Sequence, residues 1–152
     1  MIEVRPDDVT SAPVLALLEL HLADMHAHSP HEHVHALPGA ALRAPGISVW
    51  TAWEGDVLLG IGGVRGLDAV TGEVKSMRTH PAHVRKGAAA AILTRVVAVT
   101  RARGYTRLSL ETGTGPTFDP GHALYSHFGF VDGDAFGDYH ANAFSRFMHL
   151  EL

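Results

Sequence analysis

His80-Pro81-Ala82-His83-Val84-Arg85-Lys86-Gly87-Ala88-Ala89-Ala90-Ala91-Ile92-Leu93 joins the end of a strand pattern to the start of the strongest helical pattern in the chain. The first N–H groups of a helix have no partner inside the helix and carry its partial positive charge, so this junction is an anion site by construction. Gly87 and the alanines behind it let a phosphate approach the backbone closely, and Arg85 and Lys86 add charge. On these residues alone the segment is either a phosphate cradle or simply a basic helix start.

Outward from this junction the elements follow in order. Glu73-Val74-Lys75-Ser76-Met77-Arg78-Thr79 reads as the strand that feeds it. From Gly87 to Arg103, Ala89, Leu93 and Val97 form one stripe, with Ile92, Val96 and Val99 beside it, and Gly104 stops the helix. Upstream, Ile2 to Arg5 is a short strand. Leu15, Leu18, Leu22 and Met25 then recur at helical spacing, with Ser11 as cap and Pro13 in the first turn. Ile47 to Trp53 and Val57 to Val64 flank Glu54-Gly55-Asp56 as a β-hairpin. Downstream come a strand at Tyr105 to Glu111, a short helix opened by Asp119-Pro120, and a last hairpin from Phe130-Val131 and Ala143 to Leu150. The antiparallel hairpins and the central βαβ unit predict an α+β domain on a mixed sheet.

The chain has 152 residues, no cysteine and a formal net charge of -4. That length suits one domain over residues 1–152 with a core that needs no disulfide. The acidic balance argues against nucleic acid as a partner. The first residues lack the basic segment and apolar run of a secretory leader, and no apolar stretch is long enough to span a bilayer. A cytoplasmic protein with no membrane partner is the expectation.

The segment around Gly87 resembles motif A of the GNAT superfamily of N-acetyltransferases, Q/R-x-x-G-x-G/A, with Gly87 as its first glycine and Ala89 at the Gly/Ala position. Gly104-Tyr105 and Ala123-Leu124-Tyr125-Ser126-His127-Phe128-Gly129-Phe130 extend the likeness over most of the chain. Val84 departs from the motif's Gln/Arg, and Arg85 stands beside it as a compensating cation. The resemblance implies about seven strands flanked by about four helices, in the order β-α-α-β-β-β-α-β-α-β-β. It also implies acetyl-CoA as co-substrate, no required metal, and an acceptor that is a primary amine of a small molecule or peptide. The pantetheine arm would pair with backbone at Met77, Arg78 and Thr79. The pyrophosphate would rest on the N–H groups of Arg85, Lys86, Gly87, Ala88, Ala89 and Ala90. Dimerisation is common in the family, and no segment here decides it.

Direct transfer needs a neutral amine, a polarised thioester carbonyl and a proton for the departing thiolate. By the same resemblance Glu73 is the general base and Tyr125 the acid, with backbone near Met77 polarising the carbonyl. Glu111 or water is the alternative base, His122 and His127 the alternative acids, and pairing of Glu73 with Lys75 the non-catalytic reading. Asp132, Asp134 and Asp138 lie in a loop that would attract a cationic amine or simply be solvated. Six histidines (His21, His26, His28, His31, His33 and His35) crowd one segment, and the last five are ligands by type; without cysteine they read first as solvent-facing side chains, in a region that the resemblance places beside the acceptor. An acyl-CoA-binding module without transfer activity and a histidine-based metal protein are the competing readings.

Overall fold

The computed structural model describes residues 1–152. One seven-stranded sheet runs through the molecule in the order β1-β2-β3-β4-β5-β7-β6. Its strands are β1 (Glu3–Pro6), β2 (Ile47–Glu54), β3 (Val57–Gly66), β4 (Thr71–Thr79), β5 (Arg107–Thr112), β6 (Val131–Asp132) and β7 (Arg146–Glu151). Every neighbouring pair is antiparallel except β4 and β5. That parallel pair is joined by helix α2 (Ala88–Ala102), as a parallel connection requires. Helix α1 (Ala12–His28) links β1 to β2, and α3 (Asp119–His127) follows β5.

The period of two in the strands gives the sheet two unlike faces. Leu108 and Leu110 of β5 and Met148 and Leu150 of β7 join Ile92, Leu93 and Val96 of α2 in the larger apolar core. The alternating residues on the other face include Glu73, Lys75, Ser109 and His149, all buried. Beside them α1 builds a smaller core with Val14, Leu17 and Leu18 against Val49, Leu58 and Ile61.

The structure corrects three local expectations. Three α-helices form instead of about four, because residues 29–46 hold only single 3₁₀ turns at His31–His33 and Ala41–Arg43. Pro30 and Pro38 remove donors there, and no apolar repeat is long enough to sustain a helix. The buried stripe of α1 is Val14, Leu17, Leu18 and His21, about one residue out of step with the predicted one. This helix is apolar on most sides, so its sequence does not define a single inward face. The last strand begins at Arg146 and not at Ala143, since Asn142 Oδ1 accepts from the Phe144 and Ser145 N–H groups at 2.9 and 2.8 Å. Those donors are then lost to any ladder.

Candidate active site

The parallel ladder between β4 and β5 is short, pairing only Thr71, Gly72 and Glu73 with Arg107, Leu108 and Ser109. Beyond it β4 stays on β3 as far as Thr79, and β5 stays on β7 as far as Thr112. The strands therefore part, and each presents one row of unpaired backbone groups to the gap. A bulge helps to open it. Gly63 pairs with Lys75 but Ile61 with Arg78, which inserts one extra residue into β4, and Ser76 lies there at φ 56°. The bulge also resets the alternation. Met77 turns to the α2 face, where a Cβ at Gly62 would strike its sulfur, while Arg78 joins Glu73 and Lys75 on the α1 side by pairing with Asp24.

The gap continues into a cleft of about 490 Å³. Glu73, Met77, Arg78, Thr79, Ala89 and Tyr125 all border it, as does Glu111. Its far wall is made by residues that local patterning could not place together: His33 and His35 from the histidine-rich segment, Phe118, and Phe144 from the β6–β7 loop. His33 stacks on Phe144 with ring centres 6.1 Å apart, and Phe118 meets Phe144 edge-on.

Glu73 is 1% exposed and its carboxylate is fully engaged. Arg65 Nη2 donates to Oε1 at 2.7 Å, the Tyr139 hydroxyl donates to Oε2, and Lys75 Nζ lies 3.5 Å away. Lys75 in turn donates to the His35 carbonyl at 3.0 Å and to the Tyr139 oxygen at 3.1 Å. This cluster clasps the histidine-rich segment and the β6–β7 loop to β4. Burial lowers the Lys75 pKa, and the Glu73 charge opposes that fall. The expected pairing of Glu73 with Lys75 is present, but inside the fold and not at its surface. Tyr139 was not among the predicted site residues. The only sequence signal for it was an aromatic run, Phe136, Tyr139 and Phe144, in a loop otherwise acidic and glycine-rich.

Glu111 stands differently. Burial pushes its carboxyl above the usual carboxylate range, against the pull of nearby Lys75, and it borders the cleft with no arginine attached. The Tyr125 hydroxyl makes no hydrogen bond inside the chain, and burial pushes its pKa well above the ordinary tyrosine value. Phe130 braces the ring edge-on at 5.7 Å. The two alternative acids are placed less well. His122 Nε2 donates to the Gly113 carbonyl at 2.9 Å, and His127 is exposed outside the cleft.

At the cleft's end β4 leads through His80 into the turn before α2. Arg85 takes φ 63° and Gly87 φ 90°, so the chain doubles back into the helix. No side chain caps α2 at Gly87, which leaves its first N–H groups free. A Cβ at Gly87 would meet nothing within 4 Å, so the space over the turn is open. Arg85 and Lys86 are exposed beside it, with Lys86 Nζ 3.2 Å from His83 Nδ1. Ala88 faces inward against Gly60 and anchors the helix start to β3.

This parting of two parallel strands beside an uncapped, glycine-opened helix accompanies a sequence match. The sequence model of the Acetyltransferase (GNAT) family matches residues 14–130. The chain belongs to the GNAT acetyltransferase family. Two relatives span its whole length. The uncharacterised N-acetyltransferase YsnE of Bacillus subtilis is 44% identical over 149 residues, covering 98% of this chain and 99% of that one. The uncharacterised N-acetyltransferase YedL of Escherichia coli is 43% identical over 152 residues, covering 100% and 96%. Solved structures share the GNAT fold. A candidate acyl-CoA N-acyltransferase from Klebsiella pneumoniae superposes with a TM-score of 0.81 at 23% identity, covering 100% of this chain and 98% of that one. A GNAT acetyltransferase from Elizabethkingia anophelis with acetyl-CoA bound reaches 0.69 at 18% identity, covering 99% and 98%.

The six clustered histidines do not act as a group. His21 is buried, His33 and His35 border the cleft, and His26, His28 and His31 are exposed. No three His, Asp or Glu side chains converge on a point as a metal ion requires. Asp132, Asp134 and Asp138 lie outside the cleft, and Asp132 is bound in a two-point pair with Arg146. No helix is long and apolar enough to cross a membrane.

Proposed function

We propose that the chain transfers the acetyl group of acetyl-CoA directly to a primary amine of a small molecule or peptide. The observation that carries this reading is the β4–β5 gap, which ends at the free N–H groups of α2 in a chain of the GNAT family. Unpaired ladder groups at Met77 and Thr79 suit the amide-containing pantetheine arm, which pairs like an added strand. The N–H groups from Arg85 to Ala90 suit the pyrophosphate, and the Arg85 and Lys86 side chains supply charge that Val84 does not. The structural neighbour with acetyl-CoA bound supports the same choice of donor.

In this reading Glu111 takes the proton from the acceptor ammonium, directly or through water. A raised pKa brings a carboxylate closer to the pH at which it must work. Glu73, with its oxygens spent on Arg65 and Tyr139, holds the acceptor wall in place instead of acting as base. The amine nitrogen bonds to the thioester carbon while backbone N–H groups near Met77 polarise the carbonyl. As the C–S bond breaks, Tyr125 gives its hydroxyl proton to the thiolate, and the second proton that the nitrogen sheds on becoming an amide returns to the Tyr125 oxygen through water. Burial keeps that hydroxyl protonated at neutral pH, and its lack of an internal partner leaves it free to donate.

Calorimetry with acetyl-CoA, followed by mass spectrometry of amine mixtures, tests the reading. Gly87→Val should weaken acetyl-CoA binding at least about tenfold, since a side chain then occupies the open space over the turn. The strain of a β-branched residue at φ 90° costs roughly 1–2 kcal/mol of stability, which thermal unfolding measures separately. Unchanged affinity removes the phosphate site from this turn.

A further inference from the structure

Three polar atoms in the wall that α1 and β4 share have no hydrogen-bond partner: His21 Nδ1, Ser76 Oγ and Arg78 Nε. All three side chains border the cleft, and His21 is only 8% exposed. A buried donor or acceptor left unpaired costs about 1–3 kcal/mol, so this wall is short of partners that a bound molecule would bring. Arg78 spends one guanidinium nitrogen on Asp24 and nothing else in the chain uses its remaining donors. Those donors accept no proton and pair only with an acceptor atom such as an oxygen.

The charges point the same way. Arg65, Lys75 and Arg78 are matched by two carboxylates, Glu73 and Asp24. Of the histidines in this wall, burial lowers the His21 pKa to about 4, and burial with the Lys75 charge lowers that of His35 as well. Glu111, which also borders the cleft, is committed to the reacting amine as its base. A polycationic acceptor needs spare carboxylates, yet those of the β6–β7 loop lie outside the cleft.

We propose that the acceptor carries a carboxylate as well as its reacting amine, and that Arg78 binds this carboxylate with Ser76 and His21 behind it. The substrate class is then an amino acid, and not a polyamine or an aminoglycoside. This rests on the acetyl-transfer reading above. Arg78 Nε and Nη1 remain as charged donors for carboxylate oxygens, and a neutral amide replaces only part of that charge-assisted pairing.

The test follows CoA release from acetyl-CoA with the twenty amino acids, their carboxamides, the corresponding decarboxylated amines and spermidine as acceptors. The best amino acid should exceed its own carboxamide by on the order of 10- to 100-fold in kcat/KM, the worth of hydrogen bonds to a charged group. Arg78→Gln should bring the acid down to the level of the amide, and Arg78→Lys should keep part of the preference. An amide, amine or spermidine used as well as any acid overturns the proposal, and so does an Arg78→Gln loss shared equally by acid and amide. If acetyl-CoA binds and only acceptors without a carboxylate are acetylated, transfer stands and the amino-acid assignment fails. If acetyl-CoA does not bind at all, the underlying reading fails.

Discussion

The two faces of the central sheet solve the same burial problem in opposite ways. On the α2 face Leu108, Leu110, Met148 and Leu150 meet Ile92, Leu93 and Val96, and no polar group needs a partner. On the opposite face Arg65, Glu73, Ser109 and His149 stand side by side across four strands in register. Ser109 Oγ lies 2.7 Å from His149 Nδ1, and His149 Nε2 donates to the Asp134 carbonyl at 2.8 Å. Apolar burial is roughly proportional to area and indifferent to direction, so it sets stability and little else. A buried polar row is directional, and each member depends on its neighbour. That dependence lets the second face hold two irregular segments in one place: the Tyr139 loop and the histidine-rich stretch, both fastened through Lys75.

Substitutions can separate these roles. The largest effect should come from Glu111→Gln, which lowers kcat by ~10²- to 10⁴-fold if the proton transfer has the usual weight of general-base catalysis. Thermal unfolding of that variant should change little, and retention of wild-type kcat across the pH range would return the role to water or to Glu73. Tyr125→Phe keeps the ring against Phe130 and deletes one hydroxyl, so kcat should fall about 10²-fold at unchanged acetyl-CoA affinity. Full activity there, with loss in His122→Ala or His127→Ala, names a different acid.

Glu73→Gln should act on stability first. Removing one partner of a buried charge cluster costs about 3–5 kcal/mol, because Lys75 is left buried without its carboxylate. A variant that keeps its denaturation midpoint but loses kcat would make Glu73 the base after all. On the apolar face Ile92→Ala should cost about 2–5 kcal/mol, with the acetyl-CoA KM of the folded fraction unchanged. A selective loss of acetyl-CoA binding would show that the two faces are coupled through α2.

The smallest effect concerns pH. Folding lowers the His21 pKa from 6.5 to about 4, with burial as the main cause and the Arg78 charge adding to it. Above pH 6.5 the imidazole is neutral in both states and contributes nothing to the pH dependence. As pH falls from 6.5 towards 4, the unfolded chain binds a proton that the folded chain refuses. Stability then drops by up to about 1.4 kcal/mol per pH unit. Chemical denaturation of His21→Leu should show a shallower decline over that window, and an identical slope would mean that His21 is solvated in solution.

The parts of the fold that could be read in advance were those with a strong local period or an unambiguous break. Helix α2 has both, from its Ile92-Leu93-Val96-Val97 stripe to Gly87 and Gly104 at its ends. The hairpin at Gly55 and the strand carrying Glu73 to Thr79 were equally local. Helix α1 was found, but its inward face was not, because leucine and alanine recur around it. Residues 29–46 carry no period at all, and the expected second helix does not form there.

Sequence by itself determined the elements, their order and the family, since helix stripes, strand alternation and the turn around Gly87 are properties of neighbouring residues. Only the tertiary structure decided which carboxylate is free. Glu73 and Glu111 have the same chemistry in the chain, yet Arg65 from β3 and Tyr139 from a loop sixty-six residues further on occupy Glu73, while Glu111 keeps its place in the cleft. The physical reason is range. A backbone period acts over one or two turns, whereas the charge state and availability of a buried group depend on whichever side chains the fold carries to within a few ångströms of it.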